Sequence, residues 1–192
     1  DRFIATVRLL SRFSREPVSE DKATAIERSY LLRDAIDRNF DNVRALADGV
    51  LFEFRSSRER DLALRNRIRA LQPQLRALFV LHISMWNYRL PLPGFDLPEP
   101  IRSAHREFDE DVARTLEAIA DRLEGKPAEP TGAVADSLRR LERTVERYVS
   151  SEPAETIRAR LQIFLARSHR VGTFICSVLD DIHPWERAFT SQ

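Results

Sequence analysis

Lysine is almost missing from this chain. Only Lys22 and Lys126 occur, so nearly all of the 31 cationic side chains are arginines, set against 30 carboxylates for a formal charge of +1. That balance argues against a generic nucleic-acid binder, which carries a strong basic excess, and no nucleic-acid partner is expected. Glycine is scarce, at 5 of 192 residues, and none falls in a phosphate-cradling loop. The lone cysteine, Cys176, excludes an intrachain disulfide. Its apolar neighbours read as a core thiol, since a reactive thiolate needs nearby cations. No signal peptide is visible. The longest uncharged run, ALFVLHISMWNY at residues 77–88, falls short of the roughly 18–20 apolar residues that span a bilayer, so a soluble chain is expected. The only methionine is Met85 and the sequence opens on Asp1. The expectation is a piece of a larger protein, or a processed product. The H-E-x-x-H, C-x-x-C and G-x-S-x-G patterns are also missing.

What remains is charge and helical periodicity. No segment alternates with β-branched enrichment. The expected fold is an all-α bundle of five to seven helices, several of them long, in a single domain spanning residues 1–192. Phe3, Ile4, Val7, Leu10 and Phe13 carry a helical spacing over 1–15, and Pro17 ends it. Ser19 caps a second helix over about 19–54, where Ile36, Phe40, Val43, Ala47, Val50 and Phe54 repeat as a bundle seam. Ser56 and Glu59 pair as a capping box for a third helix. Its stripe is Leu64, Ile68, Leu71, Leu75, Leu78, His82 and Met85. Pro73 either kinks or splits this helix, and the unbroken phase across it favours a kink.

The stretch NYRLPLPGFDLPEP (87–100) holds four of the ten prolines together with Leu90, Leu92, Phe95 and Leu97. Pro91 and Pro93 impose extended backbone and Gly94 permits a turn. Exposed apolar side chains are a liability, so an ordered Pro-rich connection at 89–99, pinned to the bundle, is expected. Asp96 and Glu99 are spaced as a second capping box, with Pro100 in the first turn. The fourth helix carries Ala104, Phe108, Val112, Leu116, Ile119 and Leu123, and Gly125 closes it. After the KPAEPTG loop (126–132), Val134, Leu138, Leu141, Val145 and Tyr148 mark the fifth. Ser151 and Pro153 start the sixth, which runs through Ile157, Leu161, Phe164, Val171, Ile175, Val178 and Ile182 until Pro184 ends it.

Candidates for chemistry are few, and no catalytic residue, cofactor or metal is expected. The four histidines are His82, His105, His169 and His183. His82 falls on a core stripe and His105 one position from one, so both read as hydrogen-bonded core residues. Asp180, Asp181 and His183 cluster at a helix end, where such groups are usually solvated. The most biased stretch is RSSRERDLALRNRIRALQPQLR (55–76), with seven arginines against Glu59 and Asp61. The plainer reading is a solvated face balanced by acids on a neighbouring helix. The functional reading is a basic face of Arg55, Arg58, Arg60, Arg65, Arg67 and Arg69 toward anionic lipid headgroups or an acidic partner.

Residues 58–100 contain ALRNRIR, then QPQLRALF, then YRLPLPGFDLPEP. At this spacing the stretch resembles the soluble region of the fusaric-acid-resistance (FUSC) family of bacterial inner-membrane exporters. That family includes aromatic-acid and multidrug efflux pump subunits. The marker positions in the strap are Tyr88, Arg89, Pro91, Pro93, Gly94, Phe95 and Pro98. The resemblance covers about a quarter of the chain. It implies a domain on the cytoplasmic face of the inner membrane, between blocks of transmembrane helices. Its partners would be the transmembrane halves of the same protein and, for the whole pump, a periplasmic adaptor and an outer-membrane channel. The role would be assembly, coupling or regulation of export of aromatic acids or drug-like compounds. The long heptads also allow a homo-oligomer, although antiparallel packing within one chain buries the same seams. The alternative is a stand-alone helical domain that senses small aromatic acids, with arginine for the carboxylate and aromatic side chains for the ring.

Overall fold

The computed structural model describes residues 2–15, 22–49, 58–89, 97–128, 133–151 and 154–189, and the side chains within them except at 22–26, 28–29, 58, 60–61, 64, 85–89 and 183–189. The described residues form six helices and no strand: α1 Arg2–Arg15, α2 Lys22–Gly49, α3 Arg58–Arg89, α4 Glu99–Leu123, α5 Ala133–Ser151 and α6 Glu155–Phe189. This is the all-α bundle that the periodicity predicts. Among the described residues no helix is long and apolar enough to cross a membrane.

The helices close into a ring in the order α1, α4, α5, α6, α3, α2, and back to α1, with α4 touching α6 and α1 touching α3 across the middle. Polar pairs fix the directions. Arg8 meets Asp121 and Arg15 meets Glu110, so α1 and α4 run antiparallel. Gln74 reaches Asp181 while Arg167 reaches the Ser84 carbonyl, so α3 and α6 do too. Ala47 faces Arg65 and Phe40 faces Gln72 across α2 and α3, a third antiparallel pair. One apolar cluster draws side chains from all six helices. Phe40, Phe79, Phe108 and Phe164 are the largest of its fully buried members. Burying a side chain of that size stabilises a fold by roughly 2–3 kcal/mol.

The stripes read from sequence become the inner faces. Ile36, Phe40, Val43 and Ala47 of α2 are buried, as are Leu71, Leu75 and Leu78 of α3. The continuations at Val50, Phe54, Leu64 and Met85 lie outside the described residues or side chains. So do Pro17, Ser19, Ser56, Leu90, Leu92 and Pro153. Only Leu97 of the strap's apolar residues is described with its side chain. It is 4 % exposed and joins the core.

Pro73 lies inside α3, one helix of 32 residues, so the segment is not split. Four expectations are corrected. The fourth helix is not capped by Asp96. Its N-cap is Pro98, with no side-chain cap bond, and the Pro98 carbonyl accepts from Arg102 N at 2.9 Å. The prolines explain the shift. A cap at Asp96 would place Pro100 at the fourth helical position, where an N–H is needed, whereas a cap at Pro98 places it at the second, where none is. Ser151 belongs to the end of α5 rather than the start of α6. Pro184 does not end α6, which runs on to Phe189; the cost is the one bond that Pro184 fails to donate to the carbonyl four residues back. Cys176 is exposed. It sits one residue after Ile175, about 100° round the helix from the buried stripe.

Two glycines carry backbone roles. Gly125, at φ +72°, takes the left-handed conformation that ends α4. Gly172 lets α6 approach α5 closely, since a Cβ there would stand 2.9 Å from Leu138 Cδ2.

Candidate functional site

α3 concentrates most of the sequence-level candidates. The structure turns them in different directions. Arg65 points inward and is 9 % exposed. Its Nε donates to the Ala47 carbonyl at 2.8 Å, and its Nη2 lies 3.6 Å from Asp48. Ala47 is in the last turn of α2, where carbonyls run short of helical donors. Arg65 is therefore a cap for α2. Gln72, seven residues on, makes a second inward bond, 2.7 Å to the Phe40 carbonyl in the body of α2. Arg69 is exposed and 3.8 Å from Asp48. Arg76 lies 3.7 Å from Asp37 and 3.5 Å from Asp41. Arg67 is half-buried. Arg55 and the side chains of Arg58 and Arg60 lie outside those described. Arg65, Arg69 and Arg76 thus meet acids on α2. Of the strap markers, Tyr88 and Arg89 are the last residues of α3 and Pro98 caps α4, while Pro91, Pro93, Gly94 and Phe95 lie outside the described residues.

A polar layer joins the last turn of α1 to α3 and the start of α4. His82 Nδ1 is 3.0 Å from the Leu78 carbonyl and His82 Nε2 is 3.2 Å from Ser14 Oγ, which is itself 3.0 Å from the Leu10 carbonyl. With a neutral ring, two protons serve these three contacts, so one stays unmade. An imidazolium would fill all three. Burial opposes that, and it holds the His82 pKa below the ordinary value against the smaller pull of Asp109; His105 adds to the lowering. On α4, His105 Nδ1 is 3.0 Å from Asp109 Oδ2. Its ring centroid is 4.8 Å from that of Phe164, and its Nε2 is buried with no partner. A carboxylate-oriented imidazole with a free nitrogen resembles a general base in form. Its surroundings here are Phe108 and Phe164. Among the described residues no group of three or more His, Cys, Asp or Glu side chains could hold a metal ion. His169 is exposed and pairs with Glu142. The side chain of His183 is outside those described. Burial and the nearby Asp180 carboxylate raise the pKa of the Cys176 thiol, which works against a thiolate.

A cleft of about 730 Å³ lies between α3 and α6. Its floor is apolar: Ala77 and Leu81 from α3, and Phe174 from α6. Arg76 stands on one wall and Arg170 on the other. Val80, on its rim, is 56 % exposed. Periodicity had placed neither Val80 nor Phe174 on a core stripe. The signal available in sequence was an apolar residue out of phase on each of two long helices. Compared with protein-family models, curated proteins and solved structures, the chain matches none.

Proposed function

We propose that this chain is the extramembranous helical domain of a bacterial inner-membrane exporter of the fusaric-acid-resistance type, serving assembly, coupling or regulation with no chemistry of its own. The single observation that carries the reading is the family-like stretch at 58–100. Its first two runs fall on the central part of α3. On that helix one side locks to α2 through Arg65 and Gln72, and another borders the open cleft. A helix so placed can pass movement between the bundle and a partner. The whole pump would export aromatic acids or drug-like compounds. The domain would sit at the cytoplasmic face of the inner membrane, joined to the transmembrane halves of the same protein. A periplasmic adaptor and an outer-membrane channel would complete the assembly.

The test is the sequence of the parent gene on either side of residues 1 and 192. The reading expects runs of roughly 20 apolar residues there. Flanks without any such run end it.

A further inference from the structure

We propose that the α3–α6 cleft is a preformed seat for about three turns of an acidic amphipathic helix supplied by a partner polypeptide. Polar cross-links tie α3 to α6 at both ends of the cleft. At one end Gln74 Nε2 donates to Asp181 Oδ2 at 2.5 Å and Ser177 Oγ donates to Gln74 Oε1 at 3.4 Å. At the other, Arg167 Nη1 donates to the Ser84 carbonyl at 2.8 Å. From residue 74 to residue 84 α3 rises about 15 Å, close to three helical turns. Between these clamps the seam is under-filled. Ala77 is small, Leu81 and Phe174 are only half-buried, and Val80 faces water. Ile163, 45 % exposed, continues the α6 wall at helical spacing from Arg170 and Phe174.

The charge on the walls selects the occupant. Arg170 has no partner among the described residues, and the carboxylates nearest Arg76 stand off at 3.5 and 3.7 Å on its α2 side. Asp180 and Asp181 lie beyond Phe174, outside the cleft lining. A helix with an apolar stripe flanked by carboxylates would set the stripe on Ala77, Val80, Leu81 and Phe174 and its acids against Arg170, while Arg76 stays shared with Asp37 and Asp41. The cleft is open along its length. A small molecule there would keep one side wet, whereas small-ligand sites bury most of their ligand. A second copy of this chain fits poorly. The most exposed apolar residues of α2, Leu31 and Leu46, lie about 22 Å apart, longer than the seat. The inference deepens the assembly role and rests on that reading for the role alone.

The test uses two fluorescein-labelled helical peptides of about 14 residues with leucine at the same i, i+4, i+7 and i+11 positions. One is flanked by glutamates and the other by lysines. Fluorescence anisotropy should show the acidic peptide binding about tenfold or more tightly than the basic one, with the gap closing as salt rises. Arg170→Glu should reverse the preference. Val80→Asp should abolish binding, and circular dichroism should show both variants folded. Equal affinity for the two peptides, binding untouched by Val80→Asp, or no binding up to about 1 mM overturns the proposal. So does a saturable thermal shift with sodium benzoate that Arg170→Ala removes, which would make the cleft a small-acid pocket. A concentration-dependent mass in sedimentation that Val80→Asp abolishes would give the seat to a second copy and equally overturn it. None of these results bears on the flanking-sequence test, so the two readings fail separately.

Discussion

The α1–α4 seam and the α2–α3 seam are both antiparallel helix pairs built on apolar stripes, yet they are held by different means. On α1, Phe3, Val7, Leu10 and Phe13 are buried. Arg8 and Arg15 each meet two carboxylates of the α4 side: Asp121 and Glu124 at 2.9 Å, Glu110 at 3.0 Å, and Glu117. The Arg15 hydrogen bond draws the Glu117 carboxyl below its usual range and raises the guanidinium in turn. The α2–α3 ion pairs are longer, at 3.5 to 3.8 Å. The closest polar contacts there run from Arg65 and Gln72 to backbone carbonyls. α2 also leaves Leu31 and Leu46 exposed, at 66 % and 57 %. Side chain meeting side chain makes α1–α4 a specific lock. Side chain meeting backbone holds α2 without requiring much of α2's own sequence. One half of the ring is scaffold, and the other keeps surface free.

The sharpest test of that contrast compares a scaffold residue with a cleft residue. Phe108→Ala should lower the unfolding free energy by about 3–5 kcal/mol, whereas Val80→Ala should stay within about 0.5 kcal/mol. Similar losses in denaturant titration would erase the distinction. Next in size is the α2 cap. Arg65→Met should cost about 1–3 kcal/mol because it strands the Ala47 carbonyl, while Arg69→Met should be nearly silent. Equal midpoints for the two would mean that the inward bond contributes nothing.

Acid acts through the polar layer. The folded pKa of His82 lies below its unfolded value near 6.5. The unfolded chain therefore takes the proton first, and stability falls as pH drops below that value until the folded ring is also protonated. The slope for one such group is at most about 1.4 kcal/mol per pH unit. His82→Gln should flatten the stability profile between about pH 7 and 5.5; an unchanged profile would place the sensitivity elsewhere. The smallest effect is electrostatic. Arg15→Ala should cost about 1 kcal/mol and Arg76→Ala less than about 0.5 kcal/mol. Added salt should narrow the gap, because both pairs touch solvent.

Much of the fold was legible in residue spacing, because an amphipathic helix writes its buried face at every third or fourth position. The α2 and α3 seams, the Gly125 stop and the burial of His82 all follow from that rule. What escaped it has physical causes. Phe79 is fully buried although it stands off the seven-residue stripe, because α3 packs against α1, α2 and α6 at once and needs a wider inner face. Arg65 and Gln72 sit in phase with Phe79, seven residues apart, so their inward direction was written there. Their charge and polarity disguised it. The cap at Pro98 depended on which prolines could do without an N–H, a condition that a match between Asp96 and Glu99 does not register. The cleft escaped because it is a shortage of volume between helices far apart in the chain.

That separation in sequence has its own consequence. Arg8 and Asp121 are 113 residues apart, and α4 is the main neighbour of α1. On a ribosome adding about 5–20 residues per second, α1 emerges roughly 6–23 s before its main neighbour. Through that interval α2 is the helix that can cover Phe3, Val7, Leu10 and Phe13 in part, and the ring closes only when α6 joins α5 to α3.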